Sequence, residues 1–502
     1  MNIIDNDLLS IQEARILAED ACRAQQDMAL FEQEKLDVIV EAMADAVHPH
    51  IEELAVLSAD ETDFGNWKDK YAKNHFVCGY LREQLRGKRC VGVIGDAPEK
   101  GLVDIGVPMG VIAALCPATS PVSTTIYKAL IAVKSGNAIV FSPHPRAKET
   151  IGRALDIMID AAEEAGLPEG ALSYMHTVTG SGTIELMNHE CVSMILNTGV
   201  PGMLEQALDA HKPLIYGGAG NGPVFIERTA DIPTAVEDII SSKTFDYGLL
   251  PAAEQSIVVD AAVADQVREE FRRQHAWFMS GEESRALARI IFEPDGSANE
   301  ALIGIPAEKL AQKAGFSVPE GTVLLISEEK FASSRNPYTR EKLGPVVAFF
   351  IEDDWMHACE KCIELLLTEK QGHTLVIHSR SENVVREFAM KKPVGRVLVN
   401  TPATFGSMGA TTNLVPAMTL GSGTAGYGIT SDNVSPENLI YVRKVGFGVR
   451  TLETVDAQMF GRSSLADQPG QSVADLRHAD EVQSVQQVLR DIIQKIDGLT
   501  DK

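Results

Sequence analysis

From Val107 onward the chain alternates short apolar, β-branched runs with helical stretches of ten residues or more, and that alternation leaves few folds open. Val111-Ile-Ala-Ala-Leu-Cys116, a helical 124–133 and Ala138-Ile-Val-Phe-Ser142 read as strand, helix, strand. A helix over 150–165, a strand near 173–178 and another over 192–196 continue the pattern. Such runs, joined by helical crossovers, predict a parallel sheet covered on both faces. This is the doubly wound α/β arrangement, which binds nucleotides beyond the carboxyl ends of its strands.

The flanking segments complete the organisation. Residues 8–90 interleave acidic and apolar positions with helical period. A second α/β stretch runs from about 232 to 400, with strands expected at 255–259, 322–326, 346–350 and 374–377. The expected domains are therefore 1–235, helical N-terminus and dinucleotide-binding domain, completed by about 420–450, and 236–419, a second α/β catalytic domain. Gly421-Ser-Gly-Thr-Ala-Gly-Tyr-Gly428 reads as a tight loop. Residues 451–477 read as a flexible linker. Beyond it, 478–498 form an amphipathic helix: Asp480 supplies a cap, Val482, Val485, Val488, Leu489, Ile492, Ile493 and Ile496 make one stripe, and Gly498 ends it.

Composition excludes several partners. The 502 residues are 45% apolar, enough for a large core and more than one domain. A formal charge of −25 repels nucleic acid and anionic lipid. Without a signal peptide or a long apolar run, the chain is expected in the cytoplasm, with no membrane contact. The seven cysteines are scattered, as in a reducing compartment. Cys359 and Cys362 have the spacing of a metal or redox pair, but share a helical apolar face with Met356, Leu365 and Leu366 and lack a second pair. They are expected to be structural, and no metal site is expected.

A dozen segments in order resemble one family, the CoA-acylating aldehyde dehydrogenases. They are Pro108-Met-Gly-Val-Ile112, Pro117-Ala-Thr-Ser-Pro121, Lys134-Ser-Gly-Asn-Ala-Ile139, Pro143-His-Pro-Arg-Ala-Lys148, Asn197-Thr-Gly-Val-Pro-Gly-Met203 and Gly218-Ala-Gly-Asn221. The later ones are Phe245-Asp-Tyr-Gly248, Glu254-Gln-Ser256, Glu341-Lys-Leu-Gly-Pro345, Gly372-His-Thr374, Arg396-Val-Leu-Val-Asn-Thr-Pro402 and Thr430-Ser-Asp-Asn433. The resemblance spans roughly residues 8–450 and implies the aldehyde dehydrogenase fold, with a Rossmann-like nucleotide domain. It also implies NAD and coenzyme A as cofactors. In such enzymes a cysteine thiolate adds to an aldehyde, hydride leaves to NAD, and coenzyme A takes the acyl group from the resulting thioester.

This chain departs from that pattern where the chemistry is concentrated. Aligned on Glu254-Gln255, the thiol position falls on Pro251, or on Ala252 with a one-residue shift, and no cysteine lies anywhere in 244–260. Ser120 stands where relatives place the asparagine that binds the oxyanion. Val200 replaces a glycine near the cofactor, and Ala425 replaces a tryptophan in the late glycine loop. Cys116, just before the Pro117–Pro121 loop, is either a relocated thiol or an ordinary residue ending a buried strand. By resemblance, His144, Arg146 and Lys148 lie against the adenosine ribose, Gly199 and Gly202 near the pyrophosphate, Glu341 at the nicotinamide ribose, and His373 beside the substrate and CoA channel. Without it, the first three read as solvated loop charges, the glycines as turn residues and His373 as a core histidine.

The tail resembles the encapsulation peptides that load enzymes into bacterial microcompartments, which implies a shell or cargo protein as partner and the compartment lumen as location. The plainer alternative is a helix that folds back on its own or a neighbouring subunit. Relatives assemble through a late strand, here near 439–443, so a homo-oligomer is expected. Two functions stay open: a microcompartment acylating dehydrogenase of doubtful activity, and an inactive pseudoenzyme that serves assembly.

Overall fold

A computed structural model describes residues 5–455 apart from 219, 295, 370–372 and 453. The expected tail helix, with its Val482–Ile496 stripe, and the linker beyond 455 lie outside the described residues. The contacts divide the chain into two units, one comprising 1–91 and 107–441, the other 92–106 and 442–502.

The first unit begins with helices α1 (Asn6–Met28), α2 (Gln33–Val47), α3 (Ile51–Thr62), α4 (Trp67–Phe76) and α5 (Arg82–Leu85). Asp5 starts α1 by accepting from the N–H groups of Asp7 and Leu8. The buried stripe of α1 is Ala14, Ala18, Ala21 and Ala24, spaced three or four apart. Small residues at that spacing let a helix lie close against its neighbour.

In the second unit β1 (Gly92–Ala97) and β2 (Leu102–Pro108) form an antiparallel hairpin that the sequence reading misses. β1, β2 and β15 (Ile440–Gly446) make a three-stranded sheet.

The nucleotide-type sheet consists of β3 (Val111–Leu115), β4 (Ala138–Ser142), β5 (Leu172–Tyr174), β6 (Val192–Thr198) and β7 (Leu214–Gly217), in the order β5-β4-β3-β6-β7, all parallel. Between β3 and β4 runs α6 (Pro121–Lys134), buried along its whole length, and between β4 and β5 runs α7 (Lys148–Glu164). β5 is shorter than the run expected over 173–178, because Met175 is the last residue held by β4 and the next two N–H groups turn to Glu13.

A seven-stranded parallel sheet follows, in the order β10-β11-β12-β9-β8-β13-β14. Its strands are β8 (Pro223–Ile226), β9 (Ser256–Asp260), β10 (Ala276–Phe278), β11 (Leu324–Glu328), β12 (Val346–Glu352), β13 (Thr374–His378) and β14 (Arg396–Val399). β8 pairs with β9 and β13, so the second sheet opens at Pro223, ahead of the boundary expected at 235. Both faces of this sheet are packed. Phe225, Val258 and Phe350 point into one cluster, and Val224, Ile257, Val259 and Phe349 into the other. Alternate residues of one strand thus feed two cores, which is why these strands read as continuous apolar runs. Cys359 and Cys362 are buried on the helix Trp355–Glu369.

Candidate active site

Strand order fixes where a cleft opens. β4 lies on one side of β3 and β6 on the other, so the segments leaving the carboxyl ends of β3 and β6 part in opposite directions. Pro117, Thr119 and Ser120 follow β3, and Thr198 and Gly199 end β6. These residues line a cavity. Its other wall comes from the segments that enter the second sheet: Leu250, Pro251 and Ala252 before β9, and His373 before β13. Met408, Met418 and Leu420 close it with apolar side chains.

The structure therefore brings Ser120, Gly199, Pro251, Ala252 and His373 together from five places in the sequence. His373 is the only ionisable side chain among the lining residues. It is 2% exposed, its Nδ1 lies 2.8 Å from Thr374 Oγ1, and burial, with the nearby Arg396 guanidinium, pushes its pKa down to about 3. The ring is neutral at any ordinary pH.

No cysteine is among the lining residues. Cys116, just after β3, is buried, accepts a hydrogen bond from Thr125 Oγ1 at 3.5 Å, and has its thiol pKa raised by burial. A thiol held protonated away from the cavity is a poor nucleophile. The Cys116 sulfur belongs to the core.

Behind Ser120 lies a charged cluster that the sequence reading misses. Lys70 and Lys73, one turn apart on α4, both reach Asp246 Oδ2, at 3.3 and 2.6 Å. Lys73 Nζ also lies 2.7 Å from Ser120 Oγ, and Lys70 Nζ donates to Thr119 O at 2.9 Å. All three charged side chains are at most 3% exposed. Asp246 reaches this place through an unusual turn: it and Tyr247 have φ of 48° and 51°, a left-handed conformation that costs a non-glycine residue roughly 1–3 kcal/mol. Asn66 N donates to Asp246 Oδ1 at 2.8 Å, and Asp246 N donates to Asp69 Oδ2 at 2.7 Å, holding the turn from both sides. Two lysines at helical spacing were the visible signal, but their partner sits more than 170 residues away.

The residues expected at the cofactor divide differently. Arg146 is occupied: its guanidinium stacks 4.5 Å above Phe64, pairs with Glu300 at 2.6 Å and donates to Thr62 O at 2.9 Å. His144 Nδ1 accepts from Arg146 N and shapes the turn. Lys148 is exposed and has no ion pair among the described residues. Gly199 has φ of 64°, whereas Val200 has φ of −120°. Val200 is therefore unstrained, since Gly199 alone takes the left-handed position. Gly202 lies outside the cavity lining, in a short turn with open space where a Cβ would point. Glu341 Oε1 accepts from Gly220 N at 2.9 Å, beneath the Pro251 segment.

Buried polar atoms under the cavity are incompletely paired. Glu254 Oε1 accepts from Ala403 N at 2.9 Å, Oε2 has no partner among the described residues, and burial pushes its pKa up to about 7. Gln255 Nε2 is likewise orphaned, while its Oε1 accepts from Lys342 N at 2.8 Å. Lys243, fully buried nearby, donates to Lys342 O at 3.0 Å and is pushed down to about 7 by burial.

Known proteins share this arrangement. The model of the aldehyde dehydrogenase family matches residues 6–286. The bifunctional aldehyde-alcohol dehydrogenase of Escherichia coli K12 is 38% identical over 441 residues, covering 87% of this chain and 49% of that protein. The chain thus spans about half the length of the bifunctional relatives it matches. An acetylating aldehyde dehydrogenase from Geobacillus thermoglucosidasius superposes with a TM-score of 0.86 at 41% identity, covering 89% of this chain and 99% of that one. A propionaldehyde dehydrogenase from the Clostridium phytofermentans fucose utilisation microcompartment superposes with a TM-score of 0.77 at 26% identity, covering 86% and 96%. With this extent of likeness over both sheets and the cleft between them, the chain belongs to the aldehyde dehydrogenase family, in its acylating branch.

Proposed function

We propose that this chain is a bacterial microcompartment member of the acylating branch that has lost aldehyde oxidation and is retained for assembly. The observation that carries the reading is the make-up of the cavity: Pro251 and Ala252 occupy the wall where the resemblance places a thiol, and no lining residue is a cysteine. Proline supplies neither a nucleophile nor a backbone N–H. Losing one oxyanion donor costs about 10²–10³ in rate, and losing a covalent nucleophile on the order of 10⁶. Either loss makes dehydrogenase turnover negligible.

Family members use NAD(P) and coenzyme A. The residues here partly fit a dinucleotide: Lys148 is exposed and unpaired among the described residues, and Gly202 leaves open space beside the backbone of its turn. Lys148 would hold the adenosine ribose, the turn the pyrophosphate, and Glu341 the nicotinamide ribose. Bound there, the dinucleotide would supply a hydride acceptor. The aldehyde it would oxidise has no sulfur to hold it.

The compartment reading rests on the tail stripe and on the microcompartment origin of one structural relative. An isolated helix of this length is marginal in water, so its apolar face calls for a partner, a shell or cargo protein.

The test is to incubate the purified protein with acetaldehyde, coenzyme A and NAD and to follow NADH. No NADH above background is expected, and Pro251→Cys with Ser120→Asn should raise it. Turnover by the unaltered protein at rates typical of its relatives would overturn the reading. Deleting 458–502 should leave a folded protein that no longer co-purifies with shells, and retained association would remove the role of the tail.

A further inference from the structure

Ser120 has a hydroxyl that does not cap its own helix. It is the N-cap residue of α6, where a serine oxygen ordinarily accepts from the second or third N–H of the helix, yet it makes no such bond. Its Oγ instead faces Lys73 Nζ at 2.7 Å. Lys73 is held by Asp246, 2.6 Å away, and of these three residues only Ser120 reaches the cavity. A nucleophile bonded to a base, and the base bonded to a third group that orients it, is the geometry of covalent acyl transfer.

We infer that the cavity is a serine acyl-transfer site: Ser120 is the nucleophile toward esters and thioesters of short apolar acids, Lys73 is its base, and Asp246 holds Lys73 in place. This goes beyond loss of aldehyde oxidation and does not depend on it, because ester hydrolysis involves no hydride acceptor and no thiol.

The bonds balance with water as the only co-reactant. Ser120 Oγ bonds to the acyl carbon as its proton passes to neutral Lys73 Nζ. The carbon's bond to the leaving oxygen or sulfur then breaks, and Lys73 returns the proton to the leaving group. Water attacks the acyl-serine ester and gives a proton to Lys73, the ester bond breaks, and Ser120 regains its hydrogen as the carboxylic acid departs. In the resting arrangement Lys73 donates to Ser120, so one of the two lysines has to give up a proton first. Two ammonium groups face one carboxylate out of water, and burial pushes Lys70 down to about 8, so Lys70 is the one that yields its proton. Neutral Lys70, bonded to the same carboxylate oxygen, then takes the Lys73 proton along that oxygen and leaves Lys73 free to act as the base.

Substrate class follows from the walls. Leu250, Met408, Met418 and Leu420 present apolar surface, and His373 is neutral, so nothing in the lining favours a charged acyl group. Pro121 has no N–H and Thr124 N donates to Ser120 O, so the first turn of α6 offers only the N–H groups of Val122 and Ser123 at the positive end of the helix.

The full-length protein is incubated with p-nitrophenyl acetate, and separately with acetyl-CoA, without NAD. Release of p-nitrophenolate or free thiol above the buffer rate is expected, with one acetyl group found by mass spectrometry on the peptide containing Ser120. Ser120→Ala should lower the rate roughly 100-fold or more and abolish the adduct. Lys73→Arg keeps the charge and a hydrogen-bond donor but cannot release a proton, so kcat should fall with little change in KM. No hydrolysis above the buffer rate, activity that survives Ser120→Ala, or a Lys73→Arg protein with unchanged kcat would each overturn the proposal. If Lys73→Arg does not fold, the adduct position and Ser120→Ala decide it. NADH formation, scored separately, bears only on aldehyde oxidation.

Discussion

Gly220 lies directly beneath Pro251: a Cβ added at Gly220 would collide with the Pro251 carbonyl oxygen and come within 2.6 Å of the carbonyl carbon. The same Cβ would stand 3.0 Å from His373 Nε2, and Gly220 N donates to Glu341 Oε1 at 2.9 Å. One glycine thus fixes how closely two segments of the cavity wall, at Pro251 and His373, approach. The obstructing atoms are backbone and cannot swing aside. Gly220→Ala should destabilise the protein by roughly 1–3 kcal/mol or more, the range for overpacking a filled interior. Chemical denaturation of the variant beside the parent checks this.

The Lys70, Lys73 and Asp246 cluster should be strongly coupled. Replacing Asp246 with asparagine keeps its shape but leaves two buried ammonium groups without a counter-charge, a loss of about 3–5 kcal/mol. Lys70→Met removes one of those charges, so the double variant should be more stable than Asp246→Asn alone. A double-mutant cycle on unfolding free energies reads the coupling directly.

Acid should destabilise the fold through buried histidines. Burial pushes His373 down to about 3 and His378 to about 4, against about 6.5 in an unfolded chain. Below 6.5 the unfolded state takes up protons that the folded state refuses, so the contribution is fully present above 6.5 and is lost as pH falls toward 4. The melting temperature should therefore drop between pH 6.5 and 4. In His378→Gln, which cannot take up that proton, the decline should be shallower.

Arg146 and Lys148, two residues apart, should behave as different kinds of residue. Arg146→Ala loses the Phe64 stack and the Glu300 pair and should cost about 1–2 kcal/mol of stability. Lys148→Ala should change stability by less than about 0.5 kcal/mol, since an exposed side chain is removed, yet weaken NAD binding several-fold. Thermal unfolding and calorimetric titration with NAD separate the two.

Eight of the twelve parallel strands between Val111 and Val399 were legible because they are mainly apolar, as burial on both faces demands, whereas β7, β8, β10 and β14, each three or four residues long, were not. The hairpin of β1 and β2 was not, since Gly92-Val-Ile-Gly-Asp-Ala97 carries glycines and an aspartate that read as loop. The chemistry-bearing segments around Ser120, Pro251 and His373 were readable from their resemblance to a family. Lys70 and Lys73 belong to no motif that would single them out within the helical 8–90 segment.

By itself the sequence determined the layered α/β architecture, the family and the lack of a thiol near residue 251, because periodicity and residue identity are local properties of the chain. Only the tertiary structure decided that Ser120 faces Lys73 rather than capping its own helix, that Cys116 is sealed in the core, and that Arg146 is already bonded. Those facts depend on groups tens to hundreds of residues apart meeting in a space without water, where each polar atom takes the partner that packing brings within reach.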